Sequence, residues 1–314
     1  MSHNGAPLVT IAIPTYNRAD GYLSEALESA LAQSYSPIEI LVSDNCSTDG
    51  TDELVRSYDD PRIRYVKQTT NLGAQGNFQY CVDEARGDFF LMLHDDDRID
   101  PDMVATCMEA GDTPEGVGYV RTGNRLIDEA GNGIEAHPND AAGTSGVEAV
   151  LEWMRCQNFW ALSSTLYETA ALREAGGLNP PDFPLTCDCY ATSYIALHVG
   201  GIELRPIRAS FRVHGGELGE NTDPRKWMDE WKRLHQQIVS WADSAEDRVQ
   251  LEREGAQFFS RLCYQYANRM EGWARLKGFL SVFAHYRKLP PWVQARIKGW
   301  LSFPSRILAS TSKS

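Results

Sequence analysis

From residue 8 the chain alternates short apolar runs with stretches of helical periodicity, the mark of a sheet whose strands are joined by helical crossovers. Residues 8–14 read as a first strand. Residues 22–33 set Leu23, Ala26, Leu27, Ala30 and Leu31 on one helical stripe, residues 38–43 form a second strand and residues 51–57 a short second helix. A third strand at 63–67 and a third helix at 75–85 follow. Residues 89–93, Phe-Phe-Leu-Met-Leu, are continuously apolar, as in a strand buried on both faces, and they stop abruptly at His94-Asp95-Asp96-Asp97.

In open α/β sheets, ligands collect beyond the carboxyl ends of the strands. The unusual polar residues fall there: Pro14-Thr15-Tyr16-Asn17-Arg18 after the first strand, residues 44–50 after the second, Asn71-Leu72-Gly73 after the third and the aspartates after the fourth. Four loops therefore address one crevice. The middle of the chain, 118–214, is less regular, with a helix expected at 146–156 and strands at 161–166 and 202–210. From Pro224 the pattern is almost wholly helical, with breaks near Glu271 and at Pro290-Pro291, and a boundary is expected near residue 220.

Composition narrows the function classes. A chain of 314 residues with a formal charge of −13 lacks the clustered cations that nucleic-acid binding needs. The charge is uneven, because no Asp or Glu follows Glu271 while the last 43 residues hold eight Lys or Arg. Seven cysteines without a CxxC pair fit neither a disulfide framework nor a zinc ribbon, so reduced thiols in the cytoplasm are expected. The short polar N-terminus and the lack of any long apolar run predict neither a signal peptide nor a membrane span.

Three consecutive aspartates at a strand end repel one another unless a cation or a hydrogen-bond network compensates them. Carboxylate oxygens suit Mg²⁺ or Mn²⁺, commonly shared with substrate phosphates. A solvated acidic turn leading into a helix at Pro101 is the alternative. Asp44, at the end of the second strand, is placed to accept from the imide N–H of uracil or thymine or from a guanine edge, or else to form an Asx turn with Asn45.

Taken together, residues 11–18, 42–51, 71–73 and 93–98 resemble the motifs of glycosyltransferase family 2, in their order and spacing, strongly over 8–110 and more weakly to His214. The resemblance implies an α/β GT-A type domain with a mostly parallel central sheet flanked by helices, followed by a C-terminal helical region. It implies a catalytic domain at 1–220, with a nucleotide-sugar half at 1–110 and an acceptor half at 111–220, and a helical region at 221–314. On this likeness Pro14, Thr15, Tyr16, Asn17, Arg18, Asp44, Asn71 and Gly73 hold the nucleotide of a UDP-, dTDP- or GDP-sugar. Asp95 contacts the ribose or phosphate side, and Asp96, with Asp97 and His214, serves Mn²⁺ or Mg²⁺. His94 stands where many members carry the first Asp of an Asp-x-Asp pair.

Glycosyl transfer also needs a general base for the acceptor hydroxyl, worth about 10² to 10⁴ in rate. The family likeness points to Asp188, just before an expected helix at 190–198, although Cys187 occupies the position that is usually acidic. An aspartate there also serves as a helix cap. The implied reaction inverts the anomeric centre and delivers the sugar to a glycan or lipid-linked acceptor. Trp160, beside Phe159, is a candidate acceptor wall or a core aromatic. The segment 290–310 mixes Trp292, Trp300 and Leu301 with Arg296, Lys298 and Arg306, suiting either peripheral association with an anionic membrane or packing as a terminal helix.

Competing readings are weaker. The first loop has no GxGxxG and no glycine from Pro14 to Asp20, against a Rossmann dehydrogenase, and it lacks the glycine-rich loop of a sugar-phosphate nucleotidyltransferase. A sugar-nucleotide-binding module without catalysis remains as the reading from another class.

Overall fold

The computed structural model describes residues 5–110, 117–157, 160–214 and 222–290. The strands are β1 (Val9–Thr15), β2 (Ile38–Asp44), β3 (Ile63–Lys67), β4 (Phe89–Met92), β5 (Arg98–Ile99), β6 (Tyr119–Ile127), β7 (Gly133–His137), β8 (Thr165–Glu168) and β9 (Ile202–Arg212). The helices are α1 (Leu23–Leu31), α2 (Thr51–Arg56), α3 (Gly73–Glu84), α4 (Met103–Ala110), α5 (Gly146–Met154), α6 (Thr169–Glu174), α7 (Cys187–His198), α8 (Pro224–Ser240), α9 (Ala245–Asn268) and α10 (Gly272–Tyr286).

One nine-stranded sheet runs β3-β2-β1-β4-β8-β6-β9-β5, with β7 beside β6. β3, β2, β1 and β4 pair in parallel, and β6 pairs in parallel with β9, while β5, β7 and β8 run the other way. The sheet is therefore mostly parallel. Alternation within the strands explains their continuous apolarity: Ile11, Ile13, Phe89 and Leu91 face one core, with Leu23 and Leu27 of α1 and Met103 of α4, and Ala12, Phe90 and Met92 face the other. That second core continues without a break through Trp153 of α5, Ile195 of α7, Trp231 and Leu234 of α8, Phe259 of α9 and Val282 of α10. Among the described residues no helix is long and apolar enough to cross a membrane.

The structure differs from the sequence expectation mainly in the middle. The long strand β6 was not foreseen because Arg121, Thr122 and Asn124 are polar yet buried. Arg121 faces Glu203 across the β6–β9 register, and the pair lies 3.0 Å apart in full burial. Glu203 also accepts from Tyr119 Oη at 2.8 Å and Asn139 Nδ2 at 2.6 Å, so the charge that burial would penalise is compensated in place. The strand expected at 161–166 is instead a short 3₁₀ turn, Leu162–Ser164, leading into β8. Trp160 stacks on Trp153 at 4.2 Å and carries the Arg121 guanidinium on its ring at 4.6 Å. It is a core aromatic and no acceptor wall. The boundary expected near 220, Phe159 and the basic segment from 291 onward lie outside the described residues.

Candidate active site

The β1–β2 register sets Thr15 against Asp44, and Leu93 N donates to Ala12 O at 2.9 Å, so three of the four loops leave the sheet side by side. Asn17 adopts a left-handed conformation (φ 53°) that aims its amide N–H at Ser47 Oγ (2.8 Å) and its Oδ1 at Thr48 N (2.9 Å). Arg18 N donates to Thr51 Oγ1 at 3.1 Å. The first and second loops are thus laced together. Asn45 ties in the third, donating to Asn71 Oδ1 and Gly73 O and accepting from Leu72 N at 2.7 Å. Gly73, at φ +74°, opens α3 in a conformation that disfavours side chains.

Of the residues expected to meet a nucleotide, Pro14 and Thr15 are buried, and Tyr16, Asn17, Asn71 and Gly73 are exposed at the rim. Arg18 reaches Asp95, Nε to Oδ2, at 3.5 Å. Asp44 is fully buried. Its Oδ1 accepts from Ser47 N at 2.8 Å, completing the Asx turn that was the alternative reading, and its Oδ2 accepts from Tyr65 Oη at 2.5 Å. In this structure, then, Asp44 braces the second loop, and a base edge would have to share an oxygen already in use.

Within the aspartate run the three carboxylates have different surroundings. Asp97 is buried and held by Ser163 Oγ (2.5 Å) and Arg212 N (3.0 Å), with His94 Nδ1 3.7 Å away. Asp96 meets His214 Nε2 at 2.9 Å. Burial raises both Asp95 and Asp97 to about 6; Arg18 opposes the rise in Asp95, His94 opposes it in Asp97, and the neighbouring Asp96 charge adds to both. His94, Asp96 and Asp97 can bring one ligand atom each within 4.8 Å of one another, and His94 Nε2 is buried without a hydrogen-bond partner. Two carboxylates and an imidazole with a spare nitrogen form a donor set suited to Mn²⁺ or Mg²⁺. His94, which the sequence reading did not count among the ligands, joins Asp96 and Asp97 in this cluster, and His214 Nε2 lies 2.9 Å from Asp96 Oδ2 beside it.

Arg212, which sequence reasoning missed, fastens this region. Its guanidinium donates to Asp96 O (2.9 Å), to the carbonyls of Asp128 and Glu129 and to Glu25 Oε2 (2.7 Å), and it lies over the Tyr22 ring at 4.0 Å. Its only sequence signal is its place two residues before His214.

Asp188 lies in the first turn of α7, which begins three residues earlier than expected. It is partly buried, Oδ1 accepts from Cys189 N at 2.8 Å, and burial raises its pKa. His94 exerts an opposing pull on that pKa, which puts Asp188 within electrostatic reach of the aspartate run. The segment entering α7 is anchored by Glu230 of α8, whose Oε1 accepts from Leu185 N (2.6 Å), Thr186 N (2.7 Å) and Thr186 Oγ1 (3.0 Å). Glu230→Ala strands those buried donors, so urea unfolding should show a loss of roughly 2–4 kcal/mol; a loss below about 0.5 kcal/mol would mean that water replaces the carboxylate freely. Beside this anchor lies a cleft of about 560 Å³ bounded by Ala74 and Gln75 of α3, Pro181, Asp182, Pro184 and Leu185, and Lys226 and Arg233 of α8.

The sequence model described as glycosyl transferase family 2 matches residues 10–131, the stretch that supplies all four loops. Residues 10–131 are thus similar to glycosyltransferase family 2. It is 38% identical over 106 residues to the succinoglycan biosynthesis protein ExoO of Rhizobium meliloti, covering 34% of this chain and 30% of that one. It is 36% identical over 129 residues to the GalNAc(5)-diNAcBac-PP-undecaprenol beta-1,3-glucosyltransferase of Campylobacter jejuni, covering 40% of each. The match thus spans well under half the length of these relatives. Among solved structures, S. aureus TarS 1-349 in complex with UDP-GlcNAc superposes with a TM-score of 0.65 at 15% identity, over 88% of this chain and 81% of that one. The mannosyltransferase PcManGT of Pyrobaculum calidifontis in complex with GDP-Man and Mn2+ superposes at 0.57 with 17% identity, over 98% of this chain and 84% of that one. The GT-A fold therefore extends past the matched segment, through the middle of the chain and the C-terminal helices.

Proposed function

We propose that the chain transfers a sugar from a nucleoside-diphosphate sugar to a hydroxyl of a glycan or lipid-linked glycan, with inversion at the anomeric carbon. The observation that carries this reading is the convergence of three laced loops and the His94, Asp96 and Asp97 cluster on one crevice, with the partly buried Asp188 within electrostatic reach. Tyr16, exposed at the rim, offers a stacking face for the base, and Arg18 offers its guanidinium to phosphate oxygens. Asp96 and His94 would hold the Mn²⁺ or Mg²⁺, whose charge offsets that of the departing diphosphate. Asp97, held by Ser163 and Arg212, fixes the loop that presents them. Asp188 takes the acceptor proton, and burial, which raises its pKa, makes it a stronger base than an exposed carboxylate.

That relatives include an undecaprenol-linked glucosyltransferase supports a lipid-linked or polysaccharide acceptor, and the seven unpaired cysteines agree with a cytoplasmic site of action. Incubation with UDP-, dTDP- and GDP-sugars, followed by nucleoside diphosphate release, tests the reading. One donor class should be consumed, with release stopped by EDTA. Tight nucleotide binding without turnover of any donor, acceptors included, would favour a non-catalytic binding module.

A further inference from the structure

Helix α10 is apolar on two opposite sides. Gly278, Val282 and Tyr286 are buried against the body, with Gly278 close to Ala267 of α9, and Phe279 meets Tyr264 edge-on at 5.7 Å. On the outer side, spaced by three and four residues, stand Trp273 (78% exposed), Leu276 (45%), Leu280 (58%) and Phe283 (39%), followed by Leu289 (38%). A helix apolar all round is normally enclosed, and a contiguous exposed stripe of this kind marks a surface that is covered in use.

The charge around the stripe selects its cover. Lys277 flanks it, Arg287 and Lys288 follow the helix, and from Gly272 to the last residue there are eight Lys or Arg and no Asp or Glu. The preceding 271 residues carry 22 basic and 43 acidic side chains, so the rest of the molecule is repelled by an anionic surface. We propose that the outer face of α10 docks on an anionic lipid surface, with Trp273, Leu276, Leu280 and Phe283 entering the headgroup boundary and Lys277, Arg287 and Lys288 facing the lipid phosphates. A protein partner of comparable fit would need an acidic rim around an apolar groove. An anionic bilayer offers both features over any area. The proposal stands independently of the catalytic reading, because it concerns the face of the last described helix and its test needs no turnover.

Co-sedimentation of the full chain with phosphatidylcholine vesicles and with vesicles containing phosphatidylglycerol tests it. The chain should pellet with the anionic vesicles at low salt and stay in solution with the neutral ones, each cation near the surface adding about fivefold to binding. The variant L276S/L280S/F283S, at exposed positions and therefore expected to keep the parent's melting temperature, should lower vesicle affinity by about tenfold or more, while K277E/R287E should abolish the preference for anionic lipid. A full chain that ignores anionic vesicles, or a serine variant that binds as well as the parent, overturns the proposal. So does light scattering that finds a dimer converted to monomer by the serine variant, since the face would then be covered by a second copy.

Discussion

Asp188→Asn should lower kcat by about 10² or more while leaving the affinity for the nucleotide-sugar donor near that of the parent. The exchange keeps the shape of the side chain and its place in the first turn of α7, where Oδ1 accepts from Cys189 N at 2.8 Å, but removes the capacity to take a proton. The geometry favours Asp188 over the other carboxylates on the crevice. Asp97 has its oxygens engaged by Ser163 and the Arg212 amide, Asp95 is partly buried beside Arg18, and Asp96 is paired with His214. Asp188 comes from a separate segment, as a base acting on the side of the sugar away from the leaving group must. Single-turnover kinetics combined with donor titration separates the two effects. A variant with near-normal kcat, or a product that retains the donor's anomeric configuration, would remove Asp188 from this role.

The second large effect is expected at Asp96. Asp96→Ala deletes one carboxylate of the His94, Asp96, Asp97 set and the partner of His214, so metal-dependent donor binding should fall by about a hundredfold or more. Asp95→Ala should do nearly as much harm and Asp97→Ala less. The pH response gives an independent check. With burial raising Asp95 and Asp97 to about 6 from 3.8, the folded state binds protons that the unfolded chain has already released. Their contribution to metal-free stability is therefore largest below the unfolded value and is lost as pH rises through about 6. A cation competes with those protons, so the rise in melting temperature caused by Mn²⁺ should be larger at about pH 7.5 than at about pH 5. Equal shifts at both values, or unchanged Mn²⁺-dependent UDP affinity in folded Asp96→Ala, would count against this role.

The first 110 residues were legible because their physics is local. β1, β2 and β4 are buried on both faces and so read as unbroken apolar runs, and each ends in a polar loop whose residues bond to the neighbouring loop. The stretch from 111 to 220 was less legible, because its stability is settled at long range. β6 could be recognised only by knowing that Arg121 meets Glu203, 82 residues away. The early start of α7 depends on Glu230, which lies 44 residues from Thr186 in a helix that carries no family motif. His94 looked like a departure from the Asp-x-Asp pattern, and only the folded loop shows its imidazole grouped with Asp96 and Asp97. For Asp44 the sequence offered a base contact and an Asx turn; the folded chain forms the turn through Ser47 N and adds a hydrogen bond from Tyr65 on the next strand, which no local signal shows.

Calorimetric titration of the parent chain with UDP and with GDP, in EDTA and then in Mn²⁺, addresses the central claim most directly. A crevice whose carboxylates are compensated by a cation shared with the diphosphate couples the two ligands, so one nucleotide should bind about tenfold or more tightly with Mn²⁺, and Mn²⁺ should bind more tightly by the same factor when that nucleotide is present. Affinity for both nucleotides that is the same in EDTA and in Mn²⁺ would contradict it.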